Sequence, residues 1–174
     1  MSITLYTASV PVFQSLLRHL DHCLDKAVAN AAARKFDPNA FISARLAPDM
    51  LTFASQIRIA CDAAKLGAAR VGGLEAPKFE DTETTMAELK TRIAKTLDWL
   101  ATVPAAAIDG QEDKDITFPV SRDGATRTMK GEAYLLHWAL PNVYFHVVTA
   151  YGLLRHNGVD LGKIDYLLGA AAAS

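Results

Sequence analysis

The first strong pattern along the chain is a helical repeat of apolar side chains. Ser9 is a candidate N-cap and Pro11 follows in the first turn, as expected where a helix begins. The apolar positions then recur three or four residues apart, with polar side chains on the other face. These positions are Val12, Phe13, Leu16, Leu17, Leu20, Cys23, Leu24 and Ala27. We predict a first helix over residues 10–32, which the 36–39 segment ends because residues before proline disfavour helical geometry.

A second helix is predicted to open at Ala47-Pro48-Asp49, where a proline and a carboxylate suit a first turn. Its stripe of apolar positions runs to about residue 68, and Gly72-Gly73 marks the loop that follows. The positions in the stripe are Met50, Phe53, Ile57, Ala60 and Ala64.

A third helix is predicted after this loop, with Asp81 or Thr82 as its cap and Pro104 as its end. Its apolar seam is formed by Met86, Leu89, Ile93, Leu97 and Leu100. Glu88 and Arg92 lie four residues apart and are expected to pair on the solvent-exposed side of this helix.

The pattern changes between residues 113 and 130, where two short runs rich in β-branched and aromatic residues flank a 121–124 turn. They predict a β-hairpin. Residues 131–139 are expected to form a short helix, and Pro141 to open a fourth long helix over 142–157. Because this helix is apolar nearly all round, we expect it at the centre of the molecule. The prediction is a single domain over residues 1–174, an all-α four-helix bundle with a hairpin inserted between helices three and four.

Composition and charge narrow the possible partners. The chain of 174 residues contains 30 alanines, which favour helix. Its formal net charge is -1, and the only run of basic residues is Arg34-Lys35, so nucleic acid is not expected as a partner. No apolar stretch is long enough to span a membrane, and no basic region resembling that of a signal peptide precedes Arg18. With two cysteines that form no C-x-x-C pair, the cytoplasm is the expected compartment.

Polar residues on apolar helix faces are the candidates for chemistry. Asn142 and His146 are four residues apart on the fourth helix, and Asp49 falls on the same stripe of the second helix as Gln56. A divalent metal such as Zn or Ni could bind the His146 nitrogen and the Asp49 carboxylate, with Asn142 as a weak third ligand. The alternative is that Asp49 caps its own helix and His146 is a hydrogen-bonded core histidine.

Other polar residues carry weaker signals. His19 and His22 lie at the edge of the first apolar stripe, where a solvated flank is the simpler interpretation. His137 could line a cleft ahead of Pro141. Cys23 and Cys61 fall within apolar helical patterns and are expected to be buried thiols.

Three segments of the chain carry a further signal. They are Leu140-Pro141-Asn142-Val143-Tyr144-Phe145-His146 with the helix that follows, Ala47-Pro48-Asp49-Met50 with Gln56 and Ala60-Cys61-Asp62, and Leu161-Gly162-Lys163-Ile164-Asp165-Tyr166. In these segments the chain resembles a branch of uncharacterised bacterial proteins within the DinB-like superfamily. The likeness extends over essentially the whole chain. It implies a four-helix bundle of up-down-down-up topology, which is often dimeric.

The same resemblance implies a position for a metal site. Many members of the superfamily hold a divalent ion with three histidines, one on the second helix and two spaced i,i+4 on the fourth. Some of these are thiol-transferases or maleylpyruvate-type isomerases. The i,i+4 positions here are Asn142 and His146, and the second-helix position corresponds to Asp49. The branch itself is a domain of unknown function.

Two hypotheses for function follow. In the first, the protein is a metal-dependent enzyme acting on a small molecule, with Asp49, Asn142 and His146 as ligands of the ion. In the second, it is a non-catalytic dimeric helical module that binds a small ligand or a protein partner, and the metal site is lost. A homodimer is expected under both.

Overall fold

The computed structural model describes residues 3–121 and 123–173, and its first long element is a helix, α1 (Val10–Ala33). This confirms the first predicted helix to within a residue at its end. Ser9 does not cap it as expected, because the Ser9 hydroxyl donates to the carbonyl of Leu5 at 2.6 Å instead of accepting from the first turn. A single turn of 3-10 helix (Pro38–Phe41) follows the predicted break.

Helix α2 (Phe53–Gly72) begins later than predicted. The residue in the N-cap position is Thr52, whose backbone is extended and whose hydroxyl accepts from the backbone N–H of Ser55 at 3.3 Å. The interpretation of Asp49 as cap is therefore wrong. Helix α2 ends at Gly73, whose φ of 65° is the left-handed conformation that glycine adopts most readily.

Helix α3 (Met86–Ala101) also begins later than predicted. Thr85, not Asp81 or Thr82, is its N-cap. The Thr85 hydroxyl accepts from the Glu88 N–H at 3.2 Å, and the Glu88 carboxylate accepts from the Thr85 N–H at 2.9 Å. This reciprocal capping box satisfies two backbone donors at once, which decides where the helix starts. A short helix, α4 (Ala105–Ile108), follows.

The predicted hairpin is confirmed. Strands β1 (Asp115–Pro119) and β2 (Thr126–Lys130) pair antiparallel, with Asp115 opposite Lys130 and Pro119 opposite Thr126. Arg122, in the predicted turn between them, lies outside the described residues. The inward residues of β1, Ile116 and Phe118, join the main core.

The predicted break before the fourth long helix is wrong. Helix α5 (Gly131–Tyr134), a π turn (Leu135–Ala139) and helix α6 (Leu140–His156) follow one another without interruption. The backbone N–H of Leu140 donates to the carbonyl of Leu135, five residues earlier. The wider π turn lets the helix continue into Pro141, which has no N–H to contribute.

The expectation that the fourth long helix lies at the centre is also wrong. One side of α6 is in the core, but Tyr144, Phe145 and Val148 on the other side are exposed. Helix α2 is more enclosed, since it packs against α1, α3, α4 and α6. Its small side chains permit this close packing.

A last helix, α7 (Lys163–Leu168), and a 3-10 segment (Gly169–Ala173) lie against α1. The apolar periodicity did not predict them. The whole arrangement is a helical bundle with a two-stranded hairpin inserted between its third and fourth long helices, as predicted. Among the described residues, no helix combines the length and the apolar character needed to cross a membrane.

Candidate functional site between α2 and α6

His146 and Gln56 form a buried hydrogen bond between α6 and α2. The distance from His146 Nδ1 to Gln56 Oε1 is 2.7 Å. The amide nitrogen of Gln56 donates to the carbonyl of Leu51 at 3.2 Å, which leaves Oε1 as the atom that faces the histidine. His146 Nδ1 therefore carries the proton and donates it, and Nε2 carries the lone pair.

The electrostatics of this site favour a neutral histidine. His146 is 9% exposed, and burial lowers the pKa of its imidazole to about 4. Nε2 has no hydrogen-bond partner in the described part of the chain. The site therefore offers one neutral imidazole nitrogen, whose orientation is fixed through the other ring nitrogen.

The two other predicted ligands are placed differently from His146. Asp49 is exposed in the loop before α2, so it does not lie on the inward stripe of that helix as expected. Asn142 is half-buried on α6, one turn before His146. The inward position of Gln56 is confirmed, and this amide is the side chain that the structure brings to the histidine.

The donors at this position fit a divalent transition metal poorly. An imidazole and an amide face each other, and amide oxygens are weak ligands for such ions. Within the described residues, no three side chains of histidine, cysteine, aspartate or glutamate lie close enough together to hold a metal ion.

A second polar cluster lies on the other side of α2 and is centred on Arg92. The expected exposed pair of Glu88 and Arg92 is wrong, because Glu88 belongs to the capping box and the Arg92 side chain is buried. Arg92 Nη2 lies 3.0 Å from Asp62 Oδ2, and its Nη1 lies 2.9 Å from Glu83 Oε1. Sequence analysis missed this cluster, although Arg92 lies three residues after Leu89 and thus within reach of the apolar seam.

Glu83 is held by two arginines. Arg58 Nε donates to Glu83 Oε2 at 2.8 Å, opposite the bond from Arg92. Burial alone would raise the pKa of Glu83, but the hydrogen bonds from Arg92, from its own backbone and from Arg58 lower the pKa below its ordinary value. The cluster fixes the 80–83 segment against α2 and α3.

The histidines of α1 are not on a solvated flank, because they hold α7. His19 Nδ1 lies 2.8 Å from the carbonyl of Tyr166, and His22 Nε2 lies 3.0 Å from Asp165 Oδ1. Burial would raise the pKa of Asp165, but bonds from the Gly162 N–H, from Lys26 and from His22 lower it to about 2.

The remaining candidate residues, one histidine and two cysteines, differ in their exposure. His137 is exposed on the π turn. Cys23 and Cys61 are buried and form no disulfide, and desolvation raises the pKa of each thiol to about 12. The prediction of buried thiols is confirmed, and thiols of such high pKa are poor nucleophiles.

Four long helices with a hairpin before the last of them define a DinB-like helical bundle. The family model described as "Domain of unknown function (DUF1993)" matches residues 5–167, and the chain belongs to this family. A DinB family member protein from Shewanella denitrificans, solved by crystallography, is 41% identical, with 94% of this chain and 91% of that chain covered and a TM-score of 0.85. The predicted resemblance is therefore confirmed. No curated protein matches the chain.

Proposed function

We propose that this chain is a non-catalytic helical module in which a histidine–amide hydrogen bond occupies the position of a metal site. The observation that carries the proposal is the 2.7 Å bond between His146 Nδ1 and Gln56 Oε1. Buried polar side chains with their partners in place are the usual condition of a protein core. A neutral His146 bonded to an amide supports a structural role for the pair.

A second candidate, a metal-dependent enzyme acting on a small molecule, is favoured by one observation. His146 Nε2 keeps its lone pair, and the Gln56 bond orients the ring in the way that outer partners orient metal-ligating histidines. In this hypothesis, Asp49 and Asn142 are the further ligands of an ion such as Zn or Ni. A bound ion would activate water or polarise a carbonyl of the substrate.

Metal titration separates the two candidates. Untagged protein is titrated with Zn²⁺ and Ni²⁺ and analysed by calorimetry and elemental analysis. The proposal expects less than about a tenth of an equivalent of bound metal, since no preformed set of three strong donors is in place. Uptake of a full equivalent that is lost in His146→Ala, with the fold retained by circular dichroism, would overturn the proposal and support the enzyme.

The same variant tests the structural role. His146→Ala leaves the Gln56 oxygen unsatisfied and opens space between α2 and α6, so the expected loss is about 1–3 kcal/mol of unfolding free energy. Asn142→Ala is the matched control, because Asn142 is half-buried on the same helix and makes no side-chain hydrogen bond to the other described residues. An equal loss in both variants would contradict a specific role for the histidine.

A homodimer is part of the proposal. Phe145 is 56% exposed on α6, with Val148 one turn further on the same side. A groove of about 360 Å³ joins this side to α7, since Tyr144 and Leu167 both line it. Exposed large apolar side chains on the surface of a helix support pairing with a second copy.

Sedimentation velocity of Phe145→Glu tests the pairing. A buried charge at the centre of a dimer contact should convert the protein to a monomer, whereas Leu46→Glu, an exposed leucine outside this surface, should leave the dimer intact. A wild-type monomer at about 10 μM, where most interfaces of standard size associate, would contradict the proposal.

A cytoplasmic location completes the proposal. Two buried cysteines without a disulfide support a reducing compartment, since oxidising compartments favour paired thiols. Fractionation of cells that express the chain at native level should recover it in the cytosolic fraction, and recovery outside that fraction would contradict the proposal.

A further inference from the structure

Lys65 is a buried cation on the side of α2 that faces away from His146. It comes nine positions after Gln56, which is two and a half helical turns and therefore the opposite side of the helix. The residue is 3% exposed. Lysine is almost never buried to this degree without partners, so its surroundings need to be accounted for.

The ammonium group of Lys65 is incompletely satisfied. Its Nζ lies 2.9 Å from Asp62 Oδ1 and 4.1 Å from the centre of the Phe79 ring. An ammonium group has three donors, and these two neighbours use two of them. Asp62 also binds Arg92 through its second oxygen, so one carboxylate is shared by two buried cations.

A pocket of about 580 Å³ opens beside Lys65, between the second half of α2 and the 73–79 segment. Its charged lining consists of Lys65, Arg70 and Lys78 against Asp62, an excess of two positive charges (three minus one). Arg70 donates to the hydroxyl of Tyr134 at 3.2 Å and has no carboxylate partner among the described residues.

The rest of the lining is mainly apolar. It consists of Leu66, Ala69, Leu74, Ala76, Pro77 and Phe79, with Gly73 at the end of α2. A pocket of this size, with apolar walls and a few fixed charges, is the usual form of a small-molecule site. A guanidinium without a carboxylate partner and a partly paired ammonium group line the same pocket, and both favour a carboxylate as ligand, since a carboxylate accepts hydrogen bonds from either cation.

We propose that this cavity, the Lys65 pocket, binds a small organic carboxylate whose charged end pairs with Lys65 and Arg70 and whose apolar body lies against Phe79 and Leu66. The pocket uses none of the residues at the His146 site or on the apolar face of α6. Whether benzoate binds in the Lys65 pocket therefore does not depend on the proposed function. Binding in this pocket adds a ligand site to the module.

Titration with benzoate by calorimetry or by amide NMR tests the proposal. We expect one saturable site per chain. Benzamide, which has the same shape without the charge, should bind about tenfold more weakly, because hydrogen bonds between charged groups are the stronger ones. Acetate should also bind more weakly, because it lacks the apolar body.

Variants locate the site. Arg70→Gln should weaken benzoate binding at least about fivefold. Lys78→Gln is the second variant and should also weaken benzoate binding, because it removes a positive charge from the pocket lining. Lys78 is exposed, so its loss should not disturb folding. Lys95→Gln is the matched control, since this exposed lysine of α3 lies outside the pocket. Equal affinity for benzoate and benzamide, or equal weakening by Lys95→Gln, would overturn the proposal. So would the absence of saturable binding at about 10 mM benzoate, above the millimolar range of weak ligands.

Discussion

Glu83 offers a direct test of how the buried charges between α2 and α3 are balanced. Its side chain is 11% exposed and accepts from Arg58 on one oxygen and from Arg92 on the other, at 2.8 and 2.9 Å. The perturbation is a double-mutant cycle of Arg58→Met, Arg92→Met and the double variant. Methionine keeps most of the length and apolar contact of arginine while removing its charge.

The partners that remain in each variant determine the expected loss of unfolding free energy. In each single variant, Glu83 keeps one guanidinium. In Arg92→Met, Asp62 keeps Lys65. The groups that lose their partner are the Asp81 carboxylate, which is 63% exposed and can hydrate, and the backbone carbonyl of exposed Glu80. We therefore expect each single substitution to cost about 1–3 kcal/mol, below the roughly 3–5 kcal/mol that follows when a buried charge loses its only partner.

The double variant leaves the Glu83 carboxylate buried without either arginine. Its cost should exceed the sum of the two single costs by about 1–3 kcal/mol, because the second loss exposes the full desolvation penalty of the charge. Urea denaturation of the four proteins, followed by the fluorescence of Trp99 and Trp138, measures these free energies.

The pH dependence gives a second, independent readout. The pKa of Glu83 is lowered in the folded wild type, so its contribution is fully present above the unfolded pKa and is lost as the pH falls through the folded pKa. In the double variant, burial without a partner raises this pKa, and protonation then relieves the penalty. The stability difference between wild type and double variant should therefore shrink between about pH 7 and about pH 4.

Additive costs within about 0.5 kcal/mol would refute the reasoning, since the two arginines would then act independently on Glu83. A difference between wild type and double variant that is the same at both pH values would refute it as well. Lys95→Met, at an exposed position of α3, controls for the general effect of a lost positive charge on that helix.

Three further predictions concern other parts of the molecule. Thr85→Ala removes half of the α3 capping box and should lower the unfolding free energy by about 1 kcal/mol, or the melting temperature by about 2–4 °C, with exposed Ser43→Ala as the control. Asp165→Asn should lower the melting temperature at neutral pH. The difference from wild type should shrink as the pH falls from about 5 to about 3, because the ionised Asp165 carboxylate, whose pKa is lowered in the folded state, contributes stability that is lost in acid. Cys23 and Cys61, with pKa values of about 12, should react with a disulfide reagent at pH 8 only after unfolding, and rapid reaction of the native protein would contradict their burial.

The elements predictable from sequence were those that local signals determine. Periodicity defined α1, and alternating apolar positions on either side of a glycine-containing turn defined the hairpin. The start of α2 was misplaced because Pro48-Asp49 and Thr52 are equally good local start signals. Burial of Phe53 against the core favours the later one.

The candidate site was predictable only within single helices. The i,i+4 spacing of Asn142 and His146 is a property of α6 alone, but the partner of His146 depends on how α6 lies against α2. Gln56 is 90 residues away, and neither spacing nor propensity determines that register. Arg92 was misassigned for the same reason, since Glu83 and Asp62 reach it from two other segments.

The two polar sites on opposite sides of α2 differ in a way that bears on what each can bind. On the Gln56 side this helix lies so close to its neighbours that a Cβ at Gly67 would be 3.1 Å from Phe13 and 3.2 Å from Ala139, which leaves little space there for a ligand. On the α6 side, Gln56 is matched by a neutral His146, and the pair leaves no charge to be balanced. On the other side, Lys65, Arg70 and Lys78 line a pocket against one lining carboxylate, Asp62, so positive charge faces that pocket. Since positive charge that faces a partly apolar pocket is stabilised by a ligand of opposite charge, the Lys65 side of α2 is the side more suited to bind one.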